Sequence, residues 1–295
     1  MFRHNKGFQV AANIIMILLS LICILPFVLL ISASLTEEST LLRYGYSFWP
    51  AQVNLDAYRF LLRDSSTITR GYLITIFVTV VGTLSNMVLT VLLAYPLSRP
   101  DLPGRNAFSF IVFFTMLFNG GLVPSYIMWT QYFNIKNTIW ALIVPYLMLN
   151  AFYVIMMRTY FTTNIPNEII EAARIDSAGE LRILVTVVLP MSLPMIATLG
   201  LMVGLLYWNN WTNGLYFLTD TKLFSIQNIL NRMLRDAQFI ASGMAGEQAA
   251  ELAASLPTTG IRMAVAVLGA LPIMIIYPFF QKYFVKGITI GAVKG

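Results

Sequence analysis

The chain has 295 residues, 58% of them hydrophobic and 11% charged, with a net charge of +6 and a mean hydropathy of +0.73. Soluble domains carry about 25% charged residues, so the composition excludes a globule coated by its own polar surface and points to a polytopic membrane protein. Its one cysteine, Cys23, and one histidine, His4, exclude a disulfide framework within the chain and a cysteine or multi-histidine metal cluster, and argue against a Ser-His-Asp triad.

In chain order, six segments reach the roughly 20 apolar residues that a membrane-crossing helix needs: 11–34, 72–98, 107–130, 138–157, 185–208 and 263–281. None contains Asp, Glu, Lys or Arg. They are helical-length runs without the apolar/polar alternation of a β-barrel. Arg3 and Lys6 precede the first run, which is too long for a signal-peptide core and has no clear cleavage site after it. It reads as a first span.

Six spans place both termini on one side. Ten of the 19 Lys and Arg residues lie on that side, in about 60 residues, against nine in about 100 on the other. The density bias puts both termini in the cytoplasm. The positive loops account for much of the net charge, and no basic stripe calls for a nucleic-acid partner. Two outer segments, 35–71 and 209–260, can form structure outside the membrane, and 233–256 reads as helical.

Between the fourth and fifth spans lies the most informative stretch, 164–179. Pro166 suits a first helical turn, and Asn164 or Asn167 can cap it. Glu168 and Glu171 fall near the positive end of the helix dipole. Ile169, Ala172, Ala173 and Ile175 can line one surface, and Gly179 can end the helix. Such an element is either an amphipathic connector on the membrane surface or a small rigid helix able to enter a cleft on another protein.

The order of residues favours the second. Glu171-Ala172-Ala173, three residues, Ser177, nine residues, Val187, one residue, Leu189-Pro190 resembles the EAA motif of ABC-importer membrane subunits. Ser177 stands where that family has Gly, Val187 where it has Ile, and Asp176 matches its frequent acidic residue. The run 137–146 resembles the segment before the fourth span in sugar-importer permeases, and 281–295 resembles the C-terminal tail of maltose-type subunits. The likeness covers most of the chain from Tyr72 onward. Within the family it resembles permeases for complex or acidic oligosaccharides, such as alginate or pectin fragments.

The resemblance implies an all-α, type I ABC-importer permease fold, one transmembrane domain over 1–295, in the cytoplasmic (inner) membrane of a bacterium. It implies a coupling helix at 167–179, with ATPase coupling through Glu168, Glu171, Ala172, Ala173, Asp176, Ser177, Ala178, Gly179 and Pro190. The small, flexible 287–295 run gives an ATPase-contacting tail that includes Lys286, Gly287, Gly291, Lys294 and Gly295. The outer loop 209–260 corresponds to one that reaches into a substrate-binding protein in the maltose-type subunit. The implied partners are a second homologous permease, an ATPase dimer, an extracytoplasmic binding protein, membrane lipid and the oligosaccharide itself.

The chain has no phosphate-cradling Gly-x-x-x-x-Gly-Lys-Ser/Thr sequence. It is expected to do no catalysis and to carry no cofactor, with ATP and Mg held by the ATPase partners. A secondary carrier or facilitator acting without ATP is the alternative, but charged residues for ion coupling are missing from the spans. A membrane-embedded enzyme would need titratable groups gathered at one depth. The candidate sugar path comprises Asn86, Asn119, Asn150, Trp208, Asn209, Asn210, Trp211 and Asn213. Amides can bond sugar hydroxyls and aromatic faces can cover a pyranose. The same residues also suit interhelical hydrogen bonds and interfacial anchoring.

Overall fold

The computed structural model describes residues 6–63, 65–118, 120–241 and 258–292. It is helical, and outside the helices a single β-bridge joins Thr36 to Val53 among the described residues. Two compact units emerge: 1–68 with 230–272, and 69–229 with 273–295.

The first unit begins with α1 (Lys6–Ser34), an apolar helix whose side chains are largely exposed. Such a surface needs lipid or another chain around it. After it come α2 (Glu38–Tyr44) and α3 (Asp56–Leu62). The Ser32 hydroxyl donates to the Ser47 carbonyl at 2.7 Å, and Asn54 N–H to the Leu35 carbonyl at 2.8 Å, folding the intervening segment onto the end of α1. Ala57 and Leu61 of α3 pack with Ile261 and Ala264 of the last helix, α15 (Thr258–Ala292). Both oxygens of Glu38 accept from α15, from the N–H groups of Thr259 and Gly260 at 2.9 Å each. These are among the donors that a helix start leaves without an internal partner.

The second unit is built around α4 (Ser65–Ser98), α8 (Ala151–Asn164) and α12 (Leu193–Asn209). Val91, Ala94, Val154, Met157, Phe161, Leu199 and Val203 form the middle of its core. Gly82 of α4 lets α12 approach closely, because a Cβ there would meet the Tyr207 ring. Shorter helices complete the unit: α5 (Arg105–Leu117), α6 (Leu122–Ile127), α7 (Trp140–Ile143), α9 (Asn167–Ile175), α10 (Glu180–Ile183), α11 (Leu189–Met191) and α13 (Thr212–Phe217). α14 (Ile226–Ala241) buries Ile226 and Ile229.

The expected spans 11–34, 72–98 and 263–281 lie inside the unbroken helices α1, α4 and α15. The other three are not single helices. The 107–130 run is divided into α5 and α6, with Phe118 extended and Gly121 at φ 82°. The 185–208 run bends by 83° between Met191 and Leu193, where Ser192 sits between Pro190 and Pro194. Proline removes a backbone donor and clashes with the preceding turn, so the helix axis breaks there. The 138–157 run is interrupted from 144 to 150, with Tyr146 at φ 64°. Among the described residues, three helices are long and apolar enough to cross a bilayer, or up to five if each bent pair is one crossing.

Candidate functional site

The 164–183 segment folds as two short helices, α9 and α10, joined by a turn. Pro166 has an extended backbone and precedes α9 rather than entering it, and Asn164 bonds back to the Tyr160 carbonyl at 3.3 Å. Neither Asn164 nor Asn167 caps the helix through its side chain, contrary to the sequence expectation. Ile170, 3% exposed, joins the core that holds Phe161, Ile165 and Ile183. Ala173 is half-buried on the same side. At 100° per residue, Glu168, Glu171, Ala172 and Ile175 share the opposite face, and all four are exposed, Ile175 at 83%. The surface expected from Ile169, Ala172, Ala173 and Ile175 is thus divided. Ala173 turns inward with Ile170, and the others stay outside.

Helix α9 ends at Ile175, not at Gly179. Ser177 adopts φ 57°, its N–H bonds the Arg174 carbonyl at 2.9 Å, and Ala178 N–H bonds the Ala173 carbonyl at 3.0 Å. This pair of bonds is the Schellman arrangement, whose left-handed residue is usually glycine. The Ser177 side chain carries the strain that glycine avoids. Asp176 is the flanking C-cap, and Gly179 is extended at φ −70°, ψ 157° ahead of α10. Among the described residues, chain neighbours aside, nothing lies within 4 Å of a Cβ placed at Gly179.

Arg174 ties this helix to the end of α4. Its guanidinium bonds Asp101 Oδ2 at 2.8 Å and Glu180 Oε1 at 2.8 Å, and the Tyr95 hydroxyl donates to Glu180 Oε2 at 2.6 Å. Hydrogen bonding from Arg174 holds the Asp101 carboxyl below its ordinary range, and the two acids raise the Arg174 pKa. Val187 and Leu189 are half-buried against the core, and Pro190 lies exposed in α11. Ile170 and Arg174 thus join α9 to the core and to the end of α4.

Of the candidate path residues, Asn86, Asn150 and Asn213 meet the interruption of 144–150, where carbonyls outside a regular helix need other donors. Three side chains from three helices supply them. The Tyr207 hydroxyl donates to the Ile143 carbonyl at 2.9 Å, Asn213 Nδ2 to the Pro145 carbonyl at 3.0 Å, and Asn86 Nδ2 to the Leu147 carbonyl at 2.6 Å. Asn150 caps α8 by accepting from Phe152 N–H at 2.9 Å. Asn210 accepts from the Asn213 N–H at 3.0 Å, and the Trp211 carbonyl accepts from Asn228 at 2.6 Å. Asn209 is exposed. Trp208 is buried, with its ring 6.4 Å from that of Tyr72. It also lines a cavity of about 340 Å³ with Thr79, Thr83, Gly200, Gly204 and Ile276.

The structure thus gives Asn86, Asn150, Asn210 and Asn213 backbone partners within the chain. Asn119 lies outside the described residues. Tyr207 escaped the sequence reading because a tyrosine within an apolar run looks like core. Asn137 carries only a family resemblance in the sequence. Its Oδ1 accepts from Thr219 and Asp220 N–H groups at 2.6 and 3.1 Å. In the tail, Lys286, Gly287 and Gly291 fall on α15, so the run expected to be flexible is helical as far as Ala292. Lys294 and Gly295 lie outside the described residues.

Residues 65–290 match the family model of the binding-protein-dependent transport system inner membrane component. The chain belongs to this family. It is 37% identical to the polygalacturonan/rhamnogalacturonan transport system permease protein YtcP of Bacillus subtilis, over 99% of both chains. It is 28% identical to the trehalose/maltose transport system permease protein MalG of Thermococcus litoralis, over 95% of this chain and 94% of that one. It is also similar to a solved bacterial ABC transporter involved in the import of the acidic polysaccharide alginate. That likeness has a TM-score of 0.78 and 28% identity, and covers 96% of this chain and 99% of the other. The chain is a multi-pass inner-membrane permease of an ABC importer for carbohydrate uptake, and not an enzyme. The family's mode of transport requires a binding protein and a separate ATPase, which sets aside a carrier working without ATP.

Proposed function

We propose that this permease forms half of the translocation path of an importer for acidic oligosaccharides. It crosses the membrane six times, with both termini in the cytoplasm. The bent pairs α5–α6 and α10–α12 each make one crossing, and α7–α8 makes the interrupted one. A second, homologous permease completes the path, and the outer loop 209–260 meets the binding protein.

In this reading the exposed face of α9, with Glu168, Glu171, Ala172 and Ile175, enters a cleft on one ATPase subunit. Asp176, Ser177, Ala178 and Gly179 shape the turn beside it, and Ala173 seats the helix on its own base. Closure of the ATPase dimer on ATP pushes α9, and the Arg174 bonds and buried Ile170 pass the movement into α4 and the core. The C-terminal tail, from Lys286 through Gly287 and Gly291 to Lys294 and Gly295, contacts the ATPase dimer. Tyr207, Asn213 and Asn86 hold the interrupted helix in shape beside the path. A broken helix at membrane depth is common where a transporter lines its substrate site.

The observation that carries the substrate class is the pair of likenesses, to a polygalacturonan/rhamnogalacturonan permease and to an alginate importer. Both cargoes are rich in uronate carboxylates. Guanidinium groups can pair bidentately with such carboxylates, and the outer segments include Arg43, Arg63 and Arg70. The test offers the assembled importer, with its own binding protein, pectin or alginate fragments and maltodextrins of matched length. ATPase stimulation by the acidic fragments is expected. Stimulation by the neutral sugar alone would reject the acidic class.

A further inference from the structure

The end of α4 holds a charged group that neither α9 nor the interrupted helix uses. Arg99 is 5% exposed. Its Nε donates to Ser98 Oγ at 3.0 Å, and its guanidinium carbon lies 5.1 Å from the Tyr95 ring centroid. Nη1 is buried and, among the described residues, has no hydrogen-bond partner. A buried cationic donor is ordinarily matched by an acceptor, because leaving it unmatched is costly.

The nearby acids do not fill that role. Asp101 and Glu180 line the same cavity, but both are bonded to Arg174, and the second oxygen of Glu180 takes the Tyr95 hydroxyl. Arg99 therefore faces a cavity of about 400 Å³ whose other walls include Leu92, Pro96, Leu102 and Leu184. With Arg174 bonded to both acids, the unmatched Nη1 of Arg99 beside otherwise mainly apolar walls suits an amphiphile with one anionic group. The apolar surface continues beyond the cavity. Leu92, Val88 and Leu84 are 47%, 55% and 62% exposed at four-residue spacing along α4. This track leads from Arg99 towards the middle of the helix. Leu181 and Val185, 72% and 59% exposed, offer a second such surface beside it.

We propose that Arg99 binds the phosphate of an anionic membrane phospholipid, with an acyl chain lying along Leu92, Val88 and Leu84. The apolar walls and the track favour a lipid over a soluble phosphate. Basic pockets between membrane helices bind such headgroups on the cytoplasmic side. The proposed topology places this lipid in the inner leaflet. The site does not depend on the sugar, so the substrate test can fail without touching it.

The assembled importer is exchanged into nanodiscs of phosphatidylcholine with a minor share of phosphatidylglycerol, and retained lipid is counted by native mass spectrometry. Wild type is expected to retain phosphatidylglycerol selectively. Retention at this site should fall about tenfold in Arg99→Gln, the worth of one charge-assisted hydrogen bond. Leu92→Glu, at an exposed position, should lower it by placing a carboxylate in the acyl track. Equal retention in wild type and Leu92→Glu would overturn the proposal, and this arm decides if Arg99→Gln fails to assemble. Displacement of the lipid by millimolar inorganic phosphate would overturn it in favour of a soluble anion. Retention seen only after the ATPase is stripped away would show that the ATPase covers the cavity, and would overturn it too.

Discussion

Tyr207→Phe removes one oxygen and leaves the ring in place. In the structure that oxygen is the donor to the Ile143 carbonyl, at 2.9 Å, where the chain leaves α7 for the interrupted stretch. Tyr207 is 2% exposed and Ile143 0%, so water does not readily replace the lost donor. A buried acceptor left without its partner costs about 1–3 kcal/mol in soluble proteins. Hydrogen bonds between membrane helices average nearer 0.6 kcal/mol, so about 1 kcal/mol is expected here. At roughly 2–4 °C per kcal/mol for a chain of this size, the thermal midpoint of the purified permease in detergent should fall by a few degrees. Asn213→Leu and Asn86→Leu take away the donors to the Pro145 and Leu147 carbonyls. They act on the same short stretch, so Tyr207→Phe combined with Asn213→Leu should depart from additivity. Midpoints unchanged within 1 °C in all three single variants would refute the claim that these side chains hold the interruption.

Three further outcomes follow from local geometry. Ser177→Gly should stabilise the permease by about 1 kcal/mol, because Ser177 sits at φ 57° where glycine carries no Cβ penalty; thermal unfolding beside Ser177→Val, which should lose stability, checks the sign. Glu38→Ala should cost about 1–2 kcal/mol, since both carboxylate oxygens accept from the first turn of α15, and proteolysis near residue 258 should quicken. Arg174 holds the Asp101 carboxyl below its usual 3.8. With a folded pKa depressed below the unfolded one, the contribution is fully present above the unfolded value and is lost as pH falls through the folded value. The small midpoint difference between wild type and Asp101→Asn should hold from about pH 8 to pH 5 and shrink only below about pH 4.

The apolar runs made the membrane class and three unbroken helices legible, because hydropathy reports burial in lipid directly. Hydropathy does not report helix continuity, so the breaks at 144–150 and Ser192 stayed hidden in runs that look uniform. Pro145, Pro190 and Pro194 were visible in the sequence, but proline is tolerated in membrane helices and does not announce which one bends. Motif spacing marks 164–179 as a candidate docking segment. Its inward face was misjudged because Ile169 and Ile170 are adjacent and equally apolar, and only the packing of Phe161 and Ile183 selects Ile170. The amides in the spans were noticed for what they could offer a sugar. A single sequence does not show that the carbonyls of Pro145 and Leu147 use Asn213 and Asn86 first.

The central claim is that the exposed face of α9 couples this permease to its ATPase. Ala172→Asp tests it most directly, because Ala172 is exposed on that face while Ala173 supports the helix from behind. Thr162→Ala serves as the control, at an exposed position of α8 whose hydroxyl bonds the Arg158 carbonyl one turn back. The importer is reconstituted in vesicles, and ATP hydrolysis is followed as loaded binding protein is added. A charge carried into a dry cleft meets a penalty of several kcal/mol, so Ala172→Asp should abolish stimulation with the permease still inserted, and Thr162→Ala should leave it intact. Full stimulation of the Ala172→Asp importer would contradict the account.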